Sequence, residues 1–393
     1  MPDIPIPATI ATELGLRREQ VVSTAQLLDA GNTIPFIARY RKEATGALDE
    51  VQLRAVQSRL HYLRHLAQRK QTVLRSIAEQ DKLTPELEKA IREATTLQEV
   101  EDLYLPFKPK RRTRSTIARE KGLQPLADLL LAQGIVSGTL DQHAQAFLSE
   151  QVPTMEDAYA GARDIVAEVV SEDAEVRGDL RRLTAKRGVL AVSLAEEGAD
   201  PQGKYQPYYE YRERFRDVPP HRLLAINRGE REGVLRVRLE VPVEEALFHV
   251  TPRYVQNPDC IFAGQVEAAV EDSYQRLLAP SIRREVRGSR TSDADRHAIK
   301  VFATNLRQLL LQPPLRGMRL MGIDPGYRTG CKVAVVDEMG KFLTGTTIYP
   351  HAPQKQWDKA LKMLQEMVTK TSTQIIAIGN GTASRETETL VAE

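Results

Sequence analysis

Apolar residues recur at three- and four-residue steps through most of the first 190 positions, the spacing of helices that bury one face. After Asp49, a candidate N-cap, the positions Leu53, Val56, Leu60, Leu63, Leu66, Val73, Leu74 and Ile77 keep this rule. The spacing predicts one continuous helix of about 30 residues, roughly 45 Å long. Thr84 followed by Pro85 marks the start of the next helix, with Leu87, Ile91 and Ala94 on one face. Thr96 and Glu99 stand at capping-box spacing for a third, and Thr154 with Asp157 opens a fourth that carries Ala158, Ile165, Val166, Val169 and Val170.

The pattern breaks at 105–114, where Pro106 and Pro109 interrupt a segment containing Lys108, Lys110, Arg111, Arg112 and Arg114. The prolines exclude a helix there and predict a loop or extended arm. Further on the period changes. Residues 189–193 read as a strand, and Leu235, Val237, Leu239 and Val241 alternate with Arg236, Arg238 and Glu240 as a half-buried strand. Between them lies a cluster of tyrosines and arginines at 205–216, which either stacks on bases or packs internally, with packing favoured. Helical signals return at 262–278 and 292–311, and Pro313 and Pro314 stop the second of these.

The remainder reads as α/β. Strands at 319–324, 332–337 and 342–349 form an antiparallel meander, a helix follows from Gln354 to Thr371, and Ile375–Ile378 is a fully apolar, buried fourth strand before a last helix beginning at Thr382 or Ser384. The order β-β-β-α-β-α is that of the ribonuclease-H-like fold. The expected organisation is multidomain: a mainly α region at 1–188, a mixed then helical region at 189–317, and an α/β domain at 318–393.

Composition narrows the partners only slightly. There are 55 basic and 53 acidic residues, a net charge of +2, so any affinity for polyanions must come from local clustering. Two cysteines do not make a disulfide framework, and no run approaches the length of a membrane span, which together point to the cytoplasm. The seven histidines show no metal-ligand spacing, and no serine, histidine and aspartate arrangement stands out.

Local clusters carry the candidate chemistry. Lys108, Lys110, Arg111, Arg112 and Arg114 form one basic segment, and Arg39, Arg41 and Lys42, beside Tyr40, form a smaller one. Either suits contact with a phosphate backbone, against the alternative of a solvated face. Asp324, delivered by a short apolar strand to Pro325 and Gly326, either ligates a metal ion for phosphodiester cleavage or hydrogen-bonds its own turn. Metal chemistry would need further carboxylates, for which Glu386 is the candidate. Gly379, Asn380, Gly381, Thr382 and Ser384 form a strand-to-helix turn able to face a phosphate, or simply a tight turn with Thr382 or Ser384 as N-cap. An actin-like or sugar-kinase-like ATP site is disfavoured, because Tyr327 and Arg328 stand where such a turn carries serine or threonine.

Four segments taken together resemble one family. They are Gly31 through Glu43 (Gly-Asn-Thr-Ile-Pro-Phe-Ile-Ala-Arg-Tyr-Arg-Lys-Glu), Glu101 through Arg114 (Glu-Asp-Leu-Tyr-Leu-Pro-Phe-Lys-Pro-Lys-Arg-Arg-Thr-Arg), Gly322 through Gly326 (Gly-Ile-Asp-Pro-Gly), and Ile378 through Glu386 (Ile-Gly-Asn-Gly-Thr-Ala-Ser-Arg-Glu). In this order the chain resembles the Tex family of bacterial transcription accessory proteins. The resemblance implies a helical, partly helix-turn-helix-like N-terminal region and a YqgF domain with the ribonuclease-H-like fold of RuvC resolvases, here ending inside that domain. It also implies nucleic acid, RNA or DNA, as partner, with the transcription machinery as a second. RuvC-like nucleases place a glutamate at the end of the fourth strand, where this chain has Gly379 and Asn380, so the family pattern weakens catalysis. The expectation is a nucleic-acid-binding protein without cofactor. A nuclease using Asp324 and Mg2+ is the alternative.

Overall fold

A computed structural model describes residues 6–313, 315 and 317–393. Pro314, one of the two prolines expected to stop a helix, lies outside the described residues, as do the first five positions. The chain divides into two compact units, Met1–Ile299 and Lys300–Glu393.

The first unit opens with six helices: α1 (Ile6–Leu14), α2 (Arg18–Asp29), α3 (Ile34–Tyr40), α4 (Glu50–Ala78), α5 (Pro85–Glu93) and α6 (Leu97–Tyr104). The stripe read from the sequence is the buried face of α4, from Leu53 to Ile77, with Leu74 half-buried beside it. Each such leucine or valine contributes about 1.5–3 kcal/mol relative to exposure, which holds a 29-residue helix that isolated propensity would leave marginal. Asp49 caps it, accepting from the Gln52 N–H at 2.7 Å while the Gln52 side chain accepts from the Asp49 N–H at 3.1 Å. Thr84 and Thr96 cap α5 and α6 as their spacing predicts.

The expected arm at 105–114 is shorter than the sequence reading had it. Leu105–Phe107 forms a 3-10 turn with Pro106 in its first residues, where a nitrogen without hydrogen leaves no bond unmade. Arg114 begins α7 (Arg114–Glu120), with Thr113 Oγ1 accepting from the Thr116 N–H at 3.2 Å. Only 108–113 is irregular.

Four more helices, α8 (Gln124–Ala132), α9 (Leu140–Ala144), α10 (Met155–Glu172) and α11 (Ala174–Arg187), build the central core. In it α10 packs against α7 and α8, and its Gly161 is required by close approach: a Cβ there would stand 2.3 Å from Leu123 Cδ1.

Strands β1 (Val189–Leu194), β2 (Glu210–Arg214) and β3 (Leu235–Glu240) make an antiparallel sheet in the order β2-β1-β3. Helix α12 (Pro220–Arg231) joins β2 to β3 and packs on the face that carries Leu235, Val237 and Leu239. The aromatic cluster at 205–216 is thus partly a strand. Its Tyr205 and Phe215 are each 2% exposed, so packing accounts for both.

Helices α13 (Val243–Tyr254), α14 (Ala263–Asp272) and α15 (Ala279–Leu310) follow. The sequence suggests two separate helices at 262–278 and 292–311, but a π-helical stretch at Ser273–Leu278 runs directly into the 32-residue α15. Pro280 falls at that junction, and burial of Ile282 and Val286 carries the helix across the apparent gap. A closed ring of charges ties α6 to α11 and α15. Asp102 accepts from Arg177 at 3.2 Å and Arg181 at 2.6 Å; Glu285 accepts from Arg181 at 3.0 Å and from Arg177.

The second unit contains β4 (Leu320–Asp324), β5 (Cys331–Val336), β6 (Phe342–Ile348), α16 (Trp357–Thr371), β7 (Ile375–Ile378) and α17 (Ser384–Ala392). The sheet order is β6-β5-β4-β7, an antiparallel meander with β7 added parallel to β4. Two expectations need correction. The helix starts at Trp357 rather than Gln354, because His351 and Tyr349 carbonyls accept from Lys355 and Gln356 N–H groups, both at 2.9 Å, and close a turn first. Strand β7 is half-buried rather than fully buried, since it lies at the sheet edge with a neighbour on one side only.

Candidate nucleic-acid interface

The two basic segments differ in what surrounds them. In the 108–114 segment, the Lys108 ammonium bonds Glu101, which also accepts from Arg69 at 2.5 Å, and both cations lie over the Tyr104 ring. Lys110 reaches Glu172 at 2.6 Å and Glu168 at 3.3 Å. Glu168 also takes Arg119 at 2.6 Å, and Arg112 pairs with Glu120 at 2.9 Å. Burial opposes ionisation of Glu101 and Glu168, yet the hydrogen bonds and positive charges around them outweigh it and hold both carboxyls below their ordinary value. At Glu172 burial wins despite Lys110, and the carboxyl is pushed up. Arg111 and Arg114 are exposed and make no ion pair among the described residues.

The 36–42 segment has no such partners among the described residues. Helix α3 is pinned from below by Ile34 and Ile37, which pack with Leu48 and Leu53, and Pro35 starts it where no donor is needed. After it the chain turns sharply at Gly46 and Ala47, both at positive φ. That turn is fixed by Ala47 N–H donating to Lys42 O at 2.8 Å and by Gln20 Nε2 donating to Gly46 O at 2.9 Å. On this base Phe36 and Tyr40, one helical turn apart, stand 37% and 56% exposed with ring centroids 5.3 Å apart. The Arg41 guanidinium lies 5.4 Å from the Phe36 centroid and that of Arg39 lies 6.0 Å from Tyr40. Arg39, Arg41 and Lys42 are exposed, with no acidic partner among the described residues, and Glu43 is the carboxylate that follows them in the chain. The sequence reading singled out the charges and Tyr40. Phe36 was missed, though its i to i+4 spacing from Tyr40 was there to be read.

In the second unit, Asp324 ends β4, exposed, directly across from Lys332 of β5. The structure brings it to Gly379, whose N–H donates to Ile323 O at 2.8 Å; a Cβ on Gly379 would stand 3.3 Å from Pro325 Cδ and 3.7 Å from Asp324 Oδ1. Asp324 and the Gly379–Asn380 corner therefore sit together at the carboxyl ends of two parallel strands. The corner continues through Gly381 and Thr382 to Ala383, which takes the N-cap position at φ 67°, so neither Thr382 nor Ser384 caps α17 with its side chain. Glu386, in the first turn of α17, accepts from the Tyr327 hydroxyl at 2.9 Å. Its own backbone N–H and that hydroxyl hold its carboxyl below the ordinary value. Tyr327 was not anticipated in this role. Among the described residues no three or more His, Cys, Asp or Glu side chains are grouped to hold a metal ion, and no helix is long and apolar enough to cross a membrane.

Comparison with known proteins places these segments. Residues 4–78 match the profile of the Tex-like protein N-terminal domain, 137–302 the Tex central region-like profile, and 318–393 the Tex protein YqgF-like domain. The chain is 45% identical over 387 residues to protein YdcI of Bacillus subtilis, covering 97% of this chain and 53% of the relative. It is 41% identical over 394 residues to transcriptional accessory protein Tex of Neisseria gonorrhoeae, covering 98% and 51%. It is 32% identical over 388 residues to human S1 RNA-binding domain-containing protein 1, covering 94% and 38%. The chain thus spans about half the length of the bacterial relatives it matches.

Proposed function

Since the chain belongs to the Tex family of transcriptional accessory proteins, we propose that it binds nucleic acid in transcription or RNA metabolism through the surface formed by Phe36, Arg39, Tyr40, Arg41 and Lys42. The observation that carries this reading is a set of exposed cations, without acidic partners among the described residues, interleaved with exposed rings on a fixed helix and turn. Cations displace condensed counterions from a phosphate backbone, and rings offer stacking to unpaired bases. Arg111 and Arg114 extend the reading to the second basic segment, where the other three cations are already engaged by acids.

In the second unit the strand order with β7 parallel to β4 supports a ribonuclease-H-like fold, used here for binding or architecture rather than cleavage. Asp324 lies at the strand ends where such a fold would place a metal ligand. Support for a non-catalytic role comes from Gly379 and Asn380 at the end of the parallel strand, and from Glu386, whose carboxylate is engaged by Tyr327. The nuclease alternative would require Asp324 together with carboxylates not grouped around it among the described residues.

The test is salt-titrated binding of the full chain to single- and double-stranded RNA and DNA. Combined Arg39→Ala, Arg41→Ala and Lys42→Ala should weaken binding and reduce the slope of log affinity against log salt by about 2 to 3. An unchanged slope would assign the interface elsewhere. Incubation of branched and single-stranded substrates with Mg2+ or Mn2+ should leave them intact; cleavage lost in Asp324→Asn would restore the nuclease reading.

A further inference from the structure

Strand β3 is an edge of its sheet, paired with β1 on one side only. The Ala195 N–H donates to Val234 O at 2.8 Å, and this fixes the phase of the ladder. Arg236, Arg238 and Glu240 exchange bonds with β1, whereas Leu235, Val237 and Leu239 turn their N–H and C=O groups outward. This open edge forms one wall of a cleft of about 520 Å3 whose other wall is α15, with Arg238, Arg283, Arg284 and Arg287 against a single acid, Glu240. Glu240 is itself held by Arg212 at 2.8 Å, and Arg287 by Glu230 at 2.6 Å. Arg238 and Arg284 are exposed and have no ion-pair partner among the described residues. The Arg283 side chain bonds Tyr274, and its buried Nε has no hydrogen-bond partner among the described residues.

We infer that the open edge of β3 is a docking groove for an extended acidic peptide segment of a partner protein, added to the sheet as a fourth strand. Outward N–H and C=O groups alternate along the edge, so its ligand must offer acceptors and donors in turn, which a peptide backbone does and a phosphate chain, offering acceptors only, does not. Side chains of an added strand alternate between faces. One set would meet Arg283, Arg284 and Arg287 on α15, and the other Arg236 and Arg238 on the exposed face of β3, so acids on both faces find partners. Charged side chains on an edge strand can serve merely to prevent stray pairing. That role needs only Arg236 and Arg238, and it leaves the exposed Arg284 of α15, facing the same cleft, without explanation.

The probe is a fluorescein-labelled octapeptide of alternating glutamate and threonine, titrated by fluorescence anisotropy into the full chain. A second peptide carries N-methyl groups on its consecutive central residues, which removes its ladder donors in either phase and leaves the protein untouched. The unmodified peptide should bind, the N-methylated one should bind about tenfold or more weakly, and Arg284→Glu should weaken the unmodified peptide by about tenfold. Arg39→Ala with Arg41→Ala should leave peptide binding unchanged, which separates this groove from the nucleic-acid surface. Absence of binding, equal affinity for both peptides, or loss of binding with the Arg39 and Arg41 changes would each overturn the inference. Displacement of the unmodified peptide by a single-stranded oligonucleotide with equal loss of both peptides would reassign the groove to phosphate.

Discussion

Residues 35–42 and 106–114 look alike as strings: each mixes aromatic and basic side chains after a leading proline. In the folded chain they have opposite fates. Glu101, Glu168 and Glu172 come from α6 and α10 and absorb Lys108 and Lys110, so much of the second segment's charge holds helices together. Among the described residues no acid pairs with the cations at the end of α3, and the same residue types remain open to solvent. A basic run therefore reports affinity for polyanions only after the acids that folding brings to it have been subtracted.

The sharpest way to break this contrast is to remove the cations of each segment in turn. Loss of Arg39, Arg41 and Lys42 should lower nucleic-acid affinity by roughly ten- to a hundredfold at moderate salt, whereas Lys108→Ala with Lys110→Ala should change it by less than about threefold. Equal losses in the two variants would sink the distinction. Next in size is stability. Glu101→Gln leaves Arg69 and Lys108 without their shared acceptor and should cost about 1–3 kcal/mol in denaturant unfolding, while Glu43→Gln should be silent within about 0.5 kcal/mol.

Stacking gives a subtler readout. Phe36→Ala or Tyr40→Ala should weaken single-stranded binding by about 1–3 kcal/mol per base lost and leave the salt slope intact, because a ring displaces no counterion. A fall in slope would mean that the ring only props the arginines.

Acid titration separates the carboxylates of the paired segment. Glu101 and Glu168 titrate below the ordinary 4.5, so their stabilisation is present above that pH and is lost as pH falls through their lowered values. Glu172 is shifted the other way: its contribution is present below 4.5 and is lost as pH rises through its raised value. Melting temperature against pH should therefore show Glu168→Gln less stable than the parent at neutral pH, with the gap closing in acid. Glu172→Gln should be at least as stable as the parent at neutral pH, and a marked destabilisation there would contradict the burial that raises Glu172.

Much of the local structure was legible. Asp49, Thr84, Thr96 and Thr154 each began a helix as their spacing required, because a cap and its helix lie within four residues of one another. Boundaries set by remote packing were less legible. The helices that fused into α14, the π stretch and α15 looked separate because 279–291 carries Pro280, Gly288 and several arginines. Burial of Ile282 and Val286 and the salt link from Glu285 to Arg177 and Arg181 hold that stretch helical from outside the local sequence. Strand β2 was hidden for a related reason: its alternation is among tyrosines, glutamates and arginines, and only pairing with β1 makes it a strand.

By itself the sequence determined the caps, the periodic helices and the antiparallel meander of the second unit, since each depends on neighbours within a turn or a hairpin. The family resemblance rests on residue identities that need no fold to be read. The tertiary structure decided which charges remain free. Whether Lys110 meets a phosphate or Glu168 and Glu172 depends on α10 lying beside 108–113, a contact between residues some 60 positions apart. Coulomb interactions act through space, so linear charge clustering cannot record their outcome.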